Sequence, residues 1–223
     1  MRLKTAVAFL TLSLVCVISR VSFADSLTLS GVGGQNTDGV YVYPYIFTIT
    51  GPGGTDTLVD MSCLNFNREV SIGQSWSATP VDVATIAPSS TTVDNESGTD
   101  IIADAYLYNQ YAAAAGNAQL TSDIQFAIWH IMDPTDVAAE SGYDTNAANL
   151  AAAALAEVPI LPASTFANDV VFVPTNYTAG SEPQLFMTDP PPPAITPEPT
   201  SLVLLGTGLL GAVGFMRRKR AQA

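Results

Sequence analysis

Apolar runs at both ends of the 223-residue chain confine whatever folds to the stretch between them. At the N-terminus, Arg2 and Lys4 precede an apolar run over 5–18, and Val21-Ser-Phe-Ala24 supplies small residues before a cut. A short, positively led run of this kind reads as a secretory signal removed after Ala24, not as a core helix. Near the other end, residues 201–216 are uncharged, rich in Leu and Gly, and run into Arg217-Arg218-Lys219-Arg220. As a transmembrane helix they would span roughly 24 Å, slightly less than a bilayer core, with the basic cluster left in the cytoplasm. The Pro-rich residues before them read as an extended spacer. The expected organisation is a signal over 1–24, a domain over 25–189, a linker over 190–196 and a tail over 197–223.

A simple C-terminal membrane anchor would explain the apolar tail alone. Its order is more specific: Pro197-Glu198-Pro199, then the Leu-Leu-Gly-Thr-Gly-Leu-Leu-Gly211 stretch, then the Arg/Lys run. This resembles the PEP-CTERM sorting signal of Gram-negative bacteria. The resemblance implies recognition by an exosortase at the inner membrane, removal of the tail, and export of the body to the cell surface or extracellular matrix. Such proteins accompany exopolysaccharide production and biofilm. The tail addresses the protein and is silent on what the body does.

Setting both ends aside sharpens the charge. Of 8 basic residues, Arg2, Lys4 and Arg20 lie in the signal and four lie in the tail, which leaves Arg68. Of 20 acids only Glu198 lies in the tail, so the body is near −18 and holds no lysine. Nucleic acid and anionic membrane both require a basic surface, so neither is an expected partner of the body. Arg68 is expected to pair with a carboxylate.

The body reads as strands, then helices, then strands. Strands are expected over 27–29, 40–50, 57–66 and 74–78, with Gly-rich turns at 31–34 and 51–54. On the third of these, Val59, Met61 and Cys63 share one face, and Leu58, Ser62 and Leu64 the other. Asp100 is placed to cap a helix to about Ala115, with Ile101, Ala105, Tyr108 and Ala112 on its stripe, ended by Gly116-Asn117. A second helix is expected from near Ser122 to Asp133, before Pro134, and an Ala-rich third over about 146–157. Strands at 170–173 and 184–187 close the domain. The expected class is α+β: a mostly β domain, sandwich or barrel-like, with about three inserted helices.

Two residues stand out. Cys16 leaves with the signal, so Cys63 has no partner in the body. A lone cysteine in a secreted domain is a reactive thiol, an intermolecular link, or a small buried hydrophobe. Gln125 lies in the apolar run Ser122-Asp-Ile-Gln-Phe-Ala-Ile-Trp-His-Ile131, with Ile128, Trp129 and Met132 at i+3, i+4 and i+7. It therefore sits on the buried stripe, where an unpaired amide costs about 1–3 kcal/mol. A bland role is open to it: Ser122-x-x-Gln125 has the form of a capping box, with Cys63 then an inert buried thiol.

The other role comes from a second resemblance. Met61-Ser-Cys-Leu-Asn65, Gln125-Phe-Ala-Ile-Trp129 and the closing Tyr177 and Gln184-Leu-Phe186 resemble the thioester domain of bacterial surface adhesins, over about 27–188. The resemblance implies that the Cys63 sulfur is bonded to the Gln125 side-chain carbonyl with loss of ammonia. An amine-bearing surface or matrix molecule would then attack that carbonyl and be attached covalently. Trp129, Ile128 and Met61 would shield the bond from water. The absence of body lysines fits, because an internal amine would discharge the bond. No cofactor is implied, and a bond consumed once does not make a turnover enzyme.

The rival reading is a non-covalent structural protein of the exopolysaccharide matrix, with Cys63 buried and free and sugar held through Trp76 and exposed tyrosines. A hydrolase has little support: G-x-S-x-G, H-E-x-x-H and P-loop patterns are absent, and His130 is the only histidine. His130 falls on a different helix face from Gln125 and reads as structural or exposed. Asp94 to Asp100 faintly resembles a calcium loop with its glycine misplaced, and reads as a solvated loop; Asp133 and Asp136 read as helix-end and turn residues.

Overall fold

The structure, a computed structural model, describes residues 25–189 apart from 34–35, 38, 52–53, 55, 89–91 and 179. The signal, the linker and the tail with Pro197, Glu198, Pro199, Arg217, Arg218, Lys219 and Arg220 lie outside the described residues.

The strands are β1 (Asp25–Val32), β2 (Asn36–Thr37), β3 (Val40–Tyr41), β4 (Tyr45–Thr50), β5 (Asp56–Cys63), β6 (Ser75–Asp82), β7 (Thr92–Val93), β8 (Glu96–Ser97), β9 (Val170–Thr175) and β10 (Phe186–Thr188). The helices are α1 (Gly98–Tyr108), α2 (Tyr111–Ala114), α3 (Ala118–Met132), α4 (Pro134–Val137) and α5 (Thr145–Glu157). Six strands close into a barrel in the order β1-β4-β5-β10-β9-β6, every neighbour antiparallel. The fold is thus the barrel form of the expected α+β class, with the five α-helices of the described residues inserted between β8 and β9.

Period-two alternation builds the barrel. Leu27 and Leu29 of β1 and Tyr45, Phe47 and Ile49 of β4 are buried, while the hydroxyls of Thr28 and Ser30 bond across the outside to Ser75 and Thr48, both at 2.7 Å. Phe186 of β10 fills the centre against Phe47 at 4.5 Å and Tyr45 at 5.5 Å. Trp76 joins this cluster, edge-on to Phe47, and its indole N–H is buried. Its ring packs partly buried against the core.

Alternation fails at the end of β5, where Met61, Ser62 and Cys63 are all buried. The outer face is covered there by the helical layer, whereas Leu58, on the same outer face earlier in β5, is 70% exposed. Helix α3 is the centre of that layer, packed against α1, α5 and the end of β5, and is buried from Ser122 through Trp129.

Three expectations change. Helix α3 begins at Ala118, capped by Asn117, whose side chain accepts the Leu120 N–H at 3.2 Å. Ser122 therefore lies in the second turn, its hydroxyl on Thr37 at 3.1 Å, and the capping-box role for Gln125 falls. Ser97, not Asp100, caps α1, accepting the Asp100 N–H at 3.1 Å. That helix also stops at Tyr108 and restarts at Tyr111, a change of phase that leaves Ala112 exposed.

Candidate functional site

Cys63 ends β5, and the loop after it is held on three sides. Leu64 N–H donates to the Leu185 carbonyl at 2.9 Å. Asn65 accepts the Leu185 N–H on its side chain and the Gln184 side-chain amide on its backbone carbonyl, each at 2.9 Å, and donates to Glu96 at 3.1 Å. Asp133 accepts the backbone N–H groups of Phe66 at 2.6 Å and Asn67 at 3.3 Å. Asp133 is the helix-end residue that the sequence indicates, and it also ties the end of α3 to the cysteine loop.

Gln125 faces that strand end and is fully buried. Its Nε2 donates to the Cys63 carbonyl at 2.7 Å. Its Oε1 accepts two hydroxyls, Ser62 Oγ at 3.2 Å and Tyr111 OH at 3.1 Å. The amide is thus paired on both ends, which offsets its desolvation. The Cys63 thiol donates to the Asn65 carbonyl at 3.2 Å. Burial pushes this thiol up to about 12, against a smaller opposing effect of the neighbouring Trp129 indole, whose N–H has no hydrogen-bond partner among the described residues. Cys63 is therefore a neutral thiol at physiological pH.

The expected pocket residues are all buried. Trp129 lies between Phe66 and Phe126, each at 5.2 Å between ring centroids. Met61 shares Cys63's face of β5, and Ile128 follows Gln125 by one turn of α3. Sequence reasoning missed Ser62 and Tyr111. Ser62 adjoins Cys63 but was placed on the opposite face, and nothing in the local pattern around Tyr111 ties it to Gln125. It also missed Asp104 of α1, fully buried with neither carboxyl oxygen hydrogen-bonded among the described residues. Burial and the nearby acids Asp100, Glu96 and Asp133 hold its carboxyl well above the usual range.

The other singled-out residues lie elsewhere. His130 stacks on Tyr143 at 4.4 Å, and burial lowers its basicity. Arg68 pairs with Asp94 and reaches toward Glu96 at 3.9 Å, while Asp94 also accepts Tyr177 OH at 3.0 Å. Asp94 and Asn95 form the tight turn of the β7–β8 hairpin, both at positive φ, so this stretch is an ordered hairpin rather than a solvated loop. Among the described residues no His, Cys, Asp and Glu side chains gather in a group that could hold a metal ion.

Two hydroxyl donors on one amide oxygen polarise the carbonyl toward nucleophilic addition, and they stand where negative charge would develop on that oxygen. The carbonyl carbon belongs to a side chain whose Nε2 donates a hydrogen bond to the backbone carbonyl of the cysteine itself. The arrangement is suited to acyl chemistry between Cys63 and Gln125.

Residues 196–220 match the PEP-CTERM protein-sorting motif. No curated protein matches the chain. Among solved structures, the chain is similar to the N-terminal thioester domain of a surface protein from Clostridium perfringens, at 11% identity and TM-score 0.41, covering 74% of this chain and 97% of that one. It is also similar to the N-terminal domain of the Streptococcus pyogenes pilus tip adhesin Cpa, at 13% identity and TM-score 0.38, covering 78% and 97%. The chain carries a PEP-CTERM sorting motif, which marks it for exosortase-directed export to the cell surface.

Proposed function

We propose that Cys63 and Gln125 form an internal thioester by which the exported protein attaches itself covalently to an amine-bearing surface or matrix molecule. The observation that carries this reading is the Gln125 amide, buried, doubly polarised at its oxygen and hydrogen-bonded to the carbonyl of Cys63. In the first step the Cys63 sulfur adds to the Gln125 carbonyl carbon. The thiol proton passes to the amide nitrogen, which leaves as ammonia. In the second, a partner amine adds to the same carbon, the carbon–sulfur bond breaks, and a proton from the amine returns to sulfur. The products are an amide and a free Cys63 thiol. Each molecule reacts once, so the protein is not a turnover enzyme and needs no cofactor.

The setting is the surface or matrix of a Gram-negative bacterium, reached through the inner membrane with the apolar stretch over 201–216 as a temporary anchor. One observation favours the non-covalent alternative, in which the protein is a passive component of an exopolysaccharide biofilm: the Cys63 thiol is capped by the Asn65 carbonyl and neutral. Retention on producing cells separates the two. If the covalent reading holds, wild-type protein resists extraction by hot detergent in species heavier than the chain, and Cys63→Ala is extracted as the free chain. Equal extraction of the two would favour the passive reading.

A further inference from the structure

Tyr111 meets the Gln125 oxygen from α2, a helix of four residues that cannot hold its own position. Only Asn109 and Gln110 separate it from α1. The link is closed by the Gln110 N–H on the Leu107 carbonyl at 2.9 Å, a three-residue closure where an α-helix makes four. The Tyr111 ring is steadied from the side, stacked on Tyr43 at 3.9 Å and edge-on to Tyr108 at 5.9 Å. How far its hydroxyl reaches depends on the backbone behind the ring.

That backbone is tied to the barrel through Asn109, whose side-chain amide donates to Asp169 at 2.7 Å. Asn109 is exposed and fills no core volume, so the bond is what its side chain contributes. Asp169 is a fixed anchor. It is 2% exposed, its N–H donates to the Phe166 carbonyl at 3.1 Å, and its carbonyl accepts the Val83 N–H at 2.9 Å. It directly precedes β9; β9 pairs with β10, and β10 pairs with β5 at Phe186 and Cys63. The tie therefore joins the helix break to the run of strands that carries the cysteine.

Burial pushes the Asp169 carboxyl up to about 6, against the Asn109 amide, and the charge of Asp189 adds to the rise. The other titratable groups around it are Asp82, which ends β6 opposite Val170, and Tyr108, which ends α1. The helical turns Val83–Thr85 and Ala163–Phe166 carry none. A hydrogen bond to a carboxylate is roughly twice as strong as one to a neutral partner, so the tie weakens when Asp169 takes up a proton.

We propose that Asn109 and Asp169 are positioning residues of the acyl site, which hold the Tyr111 hydroxyl on the Gln125 oxygen and make the site less reactive in mild acid. The proposal rests on the thioester reading and adds what aims one of its two hydroxyl donors. Neither residue touches the reacting atoms; both act through Tyr111.

The test uses methoxyamine, whose nitrogen stays unprotonated from mild acid to neutrality, on the full chain in detergent. Its nitrogen adds at the Gln125 carbon and frees the Cys63 thiol, which is titrated over time. Asn109→Ala should slow the reaction at neutral pH about tenfold, less than the hundredfold that a misplacement of roughly 1 Å costs. In a Tyr111→Phe background the same substitution should change nothing, because the hydroxyl it aims is gone. The wild-type rate should fall as pH drops through about 6, and Asp169→Asn should remove that fall. A general loss of packing would slow both backgrounds alike and leave the pH profile in place. An Asn109→Ala rate within about twofold of wild type, an equal loss in both backgrounds, or a fall in acid that persists in Asp169→Asn would overturn the proposal. If methoxyamine does not add to the wild type at all, the thioester reading fails by itself. The tie is then judged by hydrogen exchange over residues 109–114. Faster exchange in Asn109→Ala would sustain it, and equal exchange would refute it.

Discussion

Removing the hydroxyls on Gln125 Oε1 probes the acyl chemistry at its most exposed assumption. Tyr111→Phe and Ser62→Ala each delete one donor and keep most of the side chain's bulk. The bonds are 3.1 and 3.2 Å, long for O–H···O contacts, so each is weak to the neutral amide and has room to shorten as charge develops on the oxygen. In folding stability each loss is therefore modest, about 1 kcal/mol. In rate the effect is larger, because a donor aimed at a developing oxyanion is worth roughly 100-fold to 1000-fold. We expect each single variant to slow methylamine uptake on the order of 100-fold. The double variant should lose less than the product of the two, since both hydroxyls serve one oxygen and lie 3.4 Å apart. The assay is the release of the Cys63 thiol over time at fixed methylamine concentration, with thermal unfolding in parallel. Variants that fold as wild type and react within about twofold of it would refute the role given to these hydroxyls.

Asn65→Ala removes the acceptor of Leu185 N–H and a donor to Glu96, leaving buried groups unpaired; a loss of about 1–3 kcal/mol is expected in urea unfolding, and unchanged stability would show that the cysteine loop is held otherwise. Gly142→Ala would drive a methyl group into the Phe126 ring, which packs edge-on against Trp129, so overpacking should cost about 1–3 kcal/mol and alter the Trp129 fluorescence. Asp104 has a folded pKa raised above its ordinary 3.8, so its contribution to stability is complete below that value and is lost as pH rises through the folded value. Asp104→Leu should therefore stabilise the protein at neutral pH and flatten the fall in stability from acid to neutral, measured by urea midpoints. A fall of the same steepness in the variant would contradict this.

Gln125 and Cys63 were legible because each breaks a local rule: an amide on the apolar stripe of a helix, and an unpaired cysteine in an exported body. Strand alternation placed Cys63 and Ser62 on opposite faces of β5, which is correct. It could not say that the outer face at Ser62 would be roofed by helices while Leu58, four residues earlier on the same face, stayed in water. Tyr111 reaches Gln125 only because α1 breaks after Tyr108 and α2 restarts in a new phase, and no periodicity announces that break. Ser122-x-x-Gln125 imitated a cap from inside a helix, since the true start at Asn117 precedes the strongly apolar stretch. The sorting motif was legible because order and spacing alone define it, and residues 196–220 match it.

The central claim is a covalent bond, and the mass of the purified protein reads it directly. The account predicts a body lighter than its sequence by one ammonia, with the loss mapped to Cys63 and Gln125 and absent from Cys63→Ala. Methylamine should then add its whole mass at Gln125 and expose one titratable thiol. A body at its full sequence mass, with Cys63 free from the outset and methylamine without effect, would contradict the account.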